Sequence, residues 1–259
     1  MTNVNAASFK GKIALITGGS RGIGRQTALT LARRGVRSII TYHSNRAEAE
    51  AVLALSAEEG IQSEALALDV GAASSFDAFT DEVRSALSRM GAERFDYLVN
   101  NAGTSSTASF VEGTEAELDA QFNVHFKGVF LLSQKLLPLI NDGGRIVNIS
   151  SGLARFAMNN RAIYGSMKAA VEVLTRYMAL ELGPRRIAVN VVAPGPIATD
   201  FSGAIVRDNP QVNKMIADNT ALGRVGLPED VGAVIASLLS DDMGWVNAQR
   251  IEVAGGIHI

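Results

Sequence analysis

Short apolar runs alternate with longer stretches of helical spacing along most of the chain. Lys12 to Thr17 (Lys-Ile-Ala-Leu-Ile-Thr) is a continuous apolar run bounded by glycine. Arg37 to Tyr42, Ala65 to Leu68, Asp96 to Val99, Arg145 to Ile149, Ile187 to Val192 and Arg250 to Val253 follow it. Apolar residues at consecutive positions predict strands covered on both faces, as in a parallel sheet. Between the strands, Ile23, Thr27 and Leu31, with Ala28 and Ala32, recur at helical spacing, and Gly35 stands where a helix stop belongs. Asp77, Glu82, Arg84 and Arg89 mark another amphipathic stretch, and Glu117 to Leu137 predicts a further helix. Ala170, Val173, Leu174, Tyr177 and Glu181 continue a helix that Gly183-Pro184 ends. About seven strands separated by helices predict an α/β, doubly wound sheet in three layers. With no repeat, linker or composition break, residues 1–259 read as a single domain. Asp200 to Arg224 reads as irregular, with Gly203, Pro210 and Gly223. Lying after a late strand, at the end where ligands bind, residues 200–224 are expected to form a substrate lid. A surface excursion packed on the sheet edge is the alternative.

Composition narrows the picture. The 259 residues are 47% hydrophobic and 19% charged, enough chain to bury a sizeable core without staples. Cysteine is absent, which excludes disulfides and thiolate chemistry. Net charge is −2 with no long run of one sign, so neither nucleic acid nor an anionic membrane surface is an expected partner. Residues Met1 to Ser8 carry no basic stretch followed by an apolar one, and no apolar run approaches the ~20 residues of a membrane span. A cytoplasmic protein is expected. His43, His125 and His258 are scattered and lack carboxylates at ligand spacing, so no metal is expected.

Thr17-Gly18-Gly19-Ser20-Arg21-Gly22-Ile23-Gly24 lies between the first strand and the first helix. Glycines there let the backbone turn sharply and approach a pyrophosphate, which then sits on the unpaired N–H groups of the helix start. The spacing is Thr-Gly-x-x-x-Gly-x-Gly rather than Gly-x-Gly-x-x-Gly. Asn100-Asn101-Ala102-Gly103 follows the fourth strand, Asn123 lies in the next helix and Ser151 follows the fifth strand. Tyr164-Gly165-Ser166-Met167-Lys168 opens the helix after that. Pro194-Gly195 follows the sixth strand and Gly255-Gly256 the last. In this order and spacing the chain, from about residue 10 onward, resembles the short-chain dehydrogenase/reductase family. The resemblance implies a Rossmann-type seven-stranded parallel sheet and a nicotinamide-dependent oxidoreductase.

Reducing a ketone requires a proton donor for the developing alkoxide. Tyr164 and Lys168 are i and i+4 on one helix face, so the ammonium is expected near the phenol and to favour the phenolate. Bringing a tyrosine from about 10 to about 7 takes roughly 4 kcal/mol of differential stabilisation, with Lys168 and the oxidised nicotinamide ring as sources. By the resemblance, Ser151 is the catalytic serine that bonds the substrate carbonyl oxygen. Its competitor Ser150 is expected to face the sheet or a helix. Asn123 sits where asparagine has poor helix propensity. A polar core residue is one reading; the resemblance implies instead that it holds a water linking Lys168 to solvent.

The resemblance also places a cofactor. The position at the end of the second strand that carries an acid in NAD enzymes falls on Tyr42, followed by His43-Ser44-Asn45-Arg46, without a carboxylate. With Arg21 available to a 2′-phosphate, NADP(H) is expected. Gly18, Ser20, Arg21, Gly22, Ile23 and Gly24 would hold its phosphates, and Asp69 and Val70 its adenine, Asp69 being alternatively a helix cap. Asn100, Ala102 and Gly103 would form the floor. Tyr164, Lys168, Pro194, Gly195, Ile197 and Thr199 would surround the nicotinamide.

The implied substrate is a small ketone or keto ester with an apolar part, or the matching alcohol. Ser105, Ser151, Leu153, Arg155, Phe156, Tyr164 and Phe201 are expected to line its pocket. The close alternative is a 3-oxoacyl-[acyl-carrier-protein] reductase. There Asp142, in Asn141-Asp142-Gly143-Gly144, would repel an acidic carrier, while Arg185 and Arg186 could still attract one. A catalytically silent NADP-binding regulator is the reading from another class, and the complete catalytic set argues against it. The resemblance further implies a homotetramer. Leu131, Leu132, Leu136 and Leu137, and the segment Trp245 to Ile259, are the expected contacts.

Overall fold

The four residues of β1, Ile13–Ile16, are all buried because this strand serves two cores at once. Ala14 and Ile16 face one side of the sheet, and Ile13 and Leu15 face the other, as the alternation of side chains along a strand requires. In the computed structural model, residues 9–259 are described. The reading of residues 1–8 lies outside them.

The elements follow in βα order. After β1 come α1 (Gly22–Arg33), β2 (Arg37–Tyr42), α2 (Arg46–Glu58), β3 (Glu64–Ala67), α3 (Phe76–Arg89) and β4 (Phe95–Asn100). Next come α4 (Glu115–Phe122), a π turn at Asn123–Lys127, α5 (Gly128–Leu136), β5 (Ile140–Ile149), α6 (Ala162–Glu181) and β6 (Ala188–Pro194). The chain ends through α7 (Ile205–Asp208), α8 (Pro210–Asp218), α9 (Pro228–Leu238) and β7 (Arg250–Val253). The seven strands form one sheet in the order β3-β2-β1-β4-β5-β6-β7, parallel at every pairing. Helices α1, α2 and α9 cover one face through Ala28, Leu31, Val52, Val231 and Ile235. Helices α3, α5 and α6 cover the other through Phe79, Val83, Leu132, Leu136 and Ala179. The strand order reverses direction between β1 and β4, and the crevice beyond the carboxyl ends of these strands is where such sheets bind ligands.

Three expectations need correction. The helix predicted over Glu117 to Leu137 is interrupted by the π turn, which the hydrophobic spacing alone does not reveal. The expected irregular segment 200–224 is largely helical. Asn209 caps α8 by accepting from Gln211 N–H and Val212 N–H, and Pro210 sits in the first turn, a helix start for which proline needs no N–H. The leucines assigned to subunit contacts belong instead to the chain's own core: Leu132 and Leu136 are buried in it, and Leu131 and Leu137 pack against it.

Candidate active site

At the carboxyl end of β1, Thr17 to Arg21 form the turn that enters α1. Neighbouring strands hold its backbone: Thr17 N–H donates to Val99 O at 3.0 Å and Gly19 N–H to Thr41 O at 2.8 Å. Asn101 Nδ2 donates to Thr17 O and Gly18 O at 2.9 and 3.0 Å. Thr17 Oγ1 accepts from Asn101 N–H and Ala102 N–H, each at 3.0 Å. A Cβ on Gly24 would overlap Gly18 O and lie 2.5 Å from Asn101 Nδ2, so only glycine fits. Helix α1 opens with no side-chain cap and no acidic residue in its first turn. Its unpaired N–H groups and positive end are therefore left for an anion, a cradle that fits a pyrophosphate. Ile23 packs on the core, while Ser20 belongs to the turn itself.

Beside this turn, Tyr42 ends β2 and packs on the core. His43 Nε2 lies 3.8 Å from Asp69 Oδ2, and Asp69 Oδ1 accepts from Gly71 N–H at 2.8 Å. Asp69 therefore has a local turn role as well as an exposed position. Asn45 caps α2 by accepting from Glu48 N–H, and Arg46 Nε donates to Glu50 at 2.8 Å. Arg21 and Ser44 are exposed. Val70 abuts the helix beyond, where a Cβ on Gly128 would overlap Val70 O. The Asn100 amide turns away into the sheet, donating to Ser133 Oγ at 3.0 Å and Asn148 Oδ1 at 2.8 Å. After β6, Gly195 N–H donates to Val253 O at 3.0 Å and Ile197 bridges to Gly226. Thr199 lies over the α1 entrance, its Cγ2 3.5 Å from where a Gly22 Cβ would stand.

Tyr164 and Lys168 are buried on α6. Lys168 Nζ lies 5.6 Å from the Tyr164 ring centroid and donates to Ile149 O at 2.8 Å, which ties it to the end of β5. Burial pushes the Lys168 ammonium down to about 7. The same burial pushes the Tyr164 phenol up to about 12, against the downward pull of a hydrogen bond with Ser151 and the charge of Arg161. The expected lowering by Lys168 is thus not what the chain alone supplies, because a dry pocket disfavours both charged forms. Ser151 meets Tyr164 from the turn after β5, and its Oγ accepts from Leu153 N–H at 3.2 Å. Ser150 faces α6 as expected, donating to Glu172 Oε1 at 2.7 Å. Asn123 opens the π turn, and its carbonyl accepts from Gly128 N–H. That turn packs against α6.

Of the expected pocket residues, Phe201 is brought to the site, its ring 6.1 Å from that of Tyr164. Leu153 lies in the turn after Ser151 and abuts Gly165 of α6. Phe156 packs instead on His258 at 4.5 Å between ring centroids. Arg155 is engaged by Glu252 Oε2 at 2.9 Å and by the carbonyl of His258 at 3.0 Å. Ser105 is half-buried, but Ser106 is the residue held in place. Ser106 Oγ donates to Glu117 at 2.5 Å, and its carbonyl accepts from Arg161 at 2.6 Å. Asp142 pairs with Arg185 at 2.8 Å, at the amino-terminal edge of the sheet, away from Tyr164.

Three residues at the site escaped the sequence reading. Asn101 ties the glycine turn to β4. Arg250 donates to Glu172 Oε1 at 2.8 Å, to Glu252 Oε2 at 3.1 Å and to Ser151 O at 3.3 Å, which fixes the Ser151 backbone to β7. His125 is 2% exposed, and its ring stands perpendicular to that of Tyr164 at 5.3 Å. The sequence held a signal for Asn101, inside the Asn-Asn-Ala-Gly motif, and for His125, which ends the stretch Gln121-Phe122-Asn123-Val124-His125, but none for Arg250. Among the described residues no helix is long and apolar enough to cross a membrane, and no cluster of His, Asp or Glu could hold a metal ion.

Comparison with known proteins gives the same neighbourhood. The family model described as Enoyl-(Acyl carrier protein) reductase matches residues 18–258. The hydroxynaphthalene reductase-like protein Arp2 of Metarhizium brunneum is 36% identical over 260 residues, covering 96% of each chain. Among solved structures, the promiscuous reductase LugOII, which catalyses keto-reduction at C1 during lugdunomycin biosynthesis, is 36% identical. It superposes with a TM-score of 0.92 over 97% of this chain and all of its own. The angucycline C-6 ketoreductase LanV with bound NADP is 34% identical, with a TM-score of 0.90 over 96% of each chain.

Proposed function

The chain belongs to the short-chain dehydrogenase/reductase family, and from that premise we propose that it is an NADPH-dependent reductase that converts a ketone with an apolar body into a secondary alcohol. The observation that carries this reading is the convergence of Ser151, Tyr164 and Lys168 in one dry recess beside the cradle of α1. When bound, the cofactor supplies the hydride that reaches the carbonyl carbon.

Each protein group then has a defined task. The turn Gly18 to Gly24 would receive the pyrophosphate, and Arg21 and Ser44 would meet the 2′-phosphate, with Arg46 available because its pair with Glu50 is exposed and weak. Ser151 Oγ–H donates to the carbonyl oxygen and orients it. Tyr164 delivers its proton to that oxygen as charge develops there. A phenol pushed up to about 12 is fully protonated near neutral pH, the state a proton donor needs for reduction. Lys168 is held by Ile149 O and is positioned to restore that proton, with Asn123 opening the path to solvent. Phe201 supplies an aromatic wall across the cleft.

Phe122 and Phe130 are exposed on either side of the half-buried Phe126, and the three rings form a row with spacings of 5.7 and 6.3 Å along α4 to α5. With Val173, Tyr177 and Leu180 exposed on α6, it supports a homotetramer, which sedimentation analysis would test. The main test is NADPH oxidation with three substrates: a fused-ring aromatic ketone, a simple β-keto ester and a 3-oxoacyl carrier-protein thioester. Turnover of a free ketone is expected, with NADPH preferred over NADH by at least about tenfold. Tyr164→Phe is expected to lower kcat by about 10²–10⁴-fold while NADPH still binds. Activity with the carrier thioester alone would replace the ketone reading, and an active Tyr164→Phe would remove its mechanism.

A further inference from the structure

We infer that His125 is a positioning residue for Tyr164: its ring fixes the phenol from a buried element, and its Nε2 ties the Thr104 backbone to the same place. The inference rests on the reading of Tyr164 as the proton donor. Besides Arg161, whose charge reaches the Tyr164 phenol from the start of the same helix, three charged or aromatic groups are packed around the Tyr164 ring. Lys168 lies one turn along the same helix. Phe201 lies on the segment after β6 and is 42% exposed. His125 comes from the π turn, is buried, and meets the ring at right angles. Among these it is the neighbour that relates the phenol to a second, rigid part of the fold. Edge-to-face packing of this kind holds a ring's orientation as well as its position.

The hydrogen bonds of the imidazole point the same way. Its Nε2 lies 2.7 Å from Thr104 O and 3.3 Å from Thr104 N. A carbonyl can only accept, so the shorter contact makes Nε2–H the donor. Nδ1 then carries a lone pair, buried and without a partner. The preceding residue makes room for the ring: a Cβ on Gly103 would stand 2.7 Å from His125 Cε1. The charged group that acts on the imidazole is Lys168, and Thr104 and Tyr164 are its polar neighbours. Burial and the Lys168 charge push the imidazole down to about 3, so it works uncharged. Its part is geometric.

The test compares His125→Ala, His125→Gln and Tyr164→Phe with the parent enzyme, using NADPH and the best ketone of the panel. Glutamine keeps a donor for Thr104 O but loses the ring. Loss of His125 is expected to lower kcat by about 10–100-fold, with NADPH affinity within about twofold of the parent. His125→Gln should recover part of that loss. The basic limb of kcat should move to lower pH in His125→Ala, because water entering beside Tyr164 relieves the burial that raises its pKa. A merely structural histidine would lower the melting temperature and leave kcat and the limb in place below that temperature. Unchanged kcat and pH profile in folded His125→Gln overturn the inference, and this variant decides it should the alanine variant fail to fold. An active Tyr164→Phe would instead show that the proton-donor reading has failed, and the inference with it.

Discussion

The turn that enters α1 and the segment that follows β6 both border the cleft and both contain glycine, yet they are held by opposite means. The turn is tied by hydrogen bonds to the strands beside it and to Asn101. The segment after β6 is fastened at its ends, where Ile197 bridges to Gly226 and Thr220 to Ile257. Between those points Ser202, Gly203 and Ala204 have φ values of 55°, 71° and 60°, and Arg207 links to Asp200 and Asp208 on the surface. Exposed ion pairs of that kind contribute about 0–1 kcal/mol. One border of the cleft is therefore tied along its length and the other chiefly at its ends. That division fits the proposed roles of the two borders, the turn for the cofactor and the segment after β6 for the substrate.

The same substitution made in each region should separate them most sharply. Gly24→Ala places a methyl group against Gly18 O and Asn101 Nδ2, with backbone rather than a flexible side chain in the way. Overpacking of this kind costs about 1–3 kcal/mol, and it distorts the anion cradle itself. NADPH affinity measured by titration calorimetry is expected to fall by about 100-fold or more, equivalent to about 2.7 kcal/mol. Gly203→Ala meets nothing within 4 Å, and its cost is confined to a φ of 71°, about 1–2 kcal/mol. NADPH affinity should be unchanged there. Equal losses of affinity in the two variants would break the comparison.

The dry side of the cleft should also respond to pH in a way the segment after β6 does not. Burial places the folded-state value of Lys168 near 7, below its ordinary 10.5. Across that window the unfolded chain binds more protons than the folded one, so stability rises with pH from about 7 upward. The largest slope one such group can give is about 1.4 kcal/mol per pH unit. Urea midpoints taken from about pH 7 to 9 on the cofactor-free protein should rise, and Lys168→Met should flatten the rise. On the segment after β6, Arg207 is raised and Asp208 lowered by their mutual contact at the surface. Removing either should leave the slope as it was. A slope that survives Lys168→Met would mean the recess is wet.

How far the sequence could be read follows from the range of each interaction. Tyr164, Lys168 and Ser151 were legible because a helix turn and a strand end are local patterns, and the glycine turn because its spacing is local too. All seven strands were found, since their apolar runs are continuous; β5 begins at Ile140, five residues before the predicted Arg145. The π turn was hidden because Phe122, Phe126 and Phe130 keep a regular four-residue spacing across it, which reads as unbroken helix. His125 was passed over as a scattered histidine: its partner Thr104 lies 21 residues away. Arg250 is 99 residues from Ser151, and no single-chain pattern links them. The leucines of α5 show the converse limit, since an apolar face does not say which surface covers it.

The smallest expected effect probes only the border fastened at its ends. Ser202 holds a φ of 55° and ψ of 35°, a left-handed conformation that costs a non-glycine residue about 1–2 kcal/mol. Glycine removes that cost but gives the unfolded chain more freedom, an opposing term of about 0.4–1 kcal/mol. Ser202→Gly should therefore stabilise the fold by about 0.8 kcal/mol, the midrange difference of those two terms. For a chain of this size that corresponds to a rise of about 2–3 °C in melting temperature, measurable by calorimetry. NADPH affinity should not change, since the anion cradle is held by β1, β2 and β4. A fall in melting temperature would mean that this segment is held by contacts stronger than its backbone strain, and that both borders of the cleft are rigid.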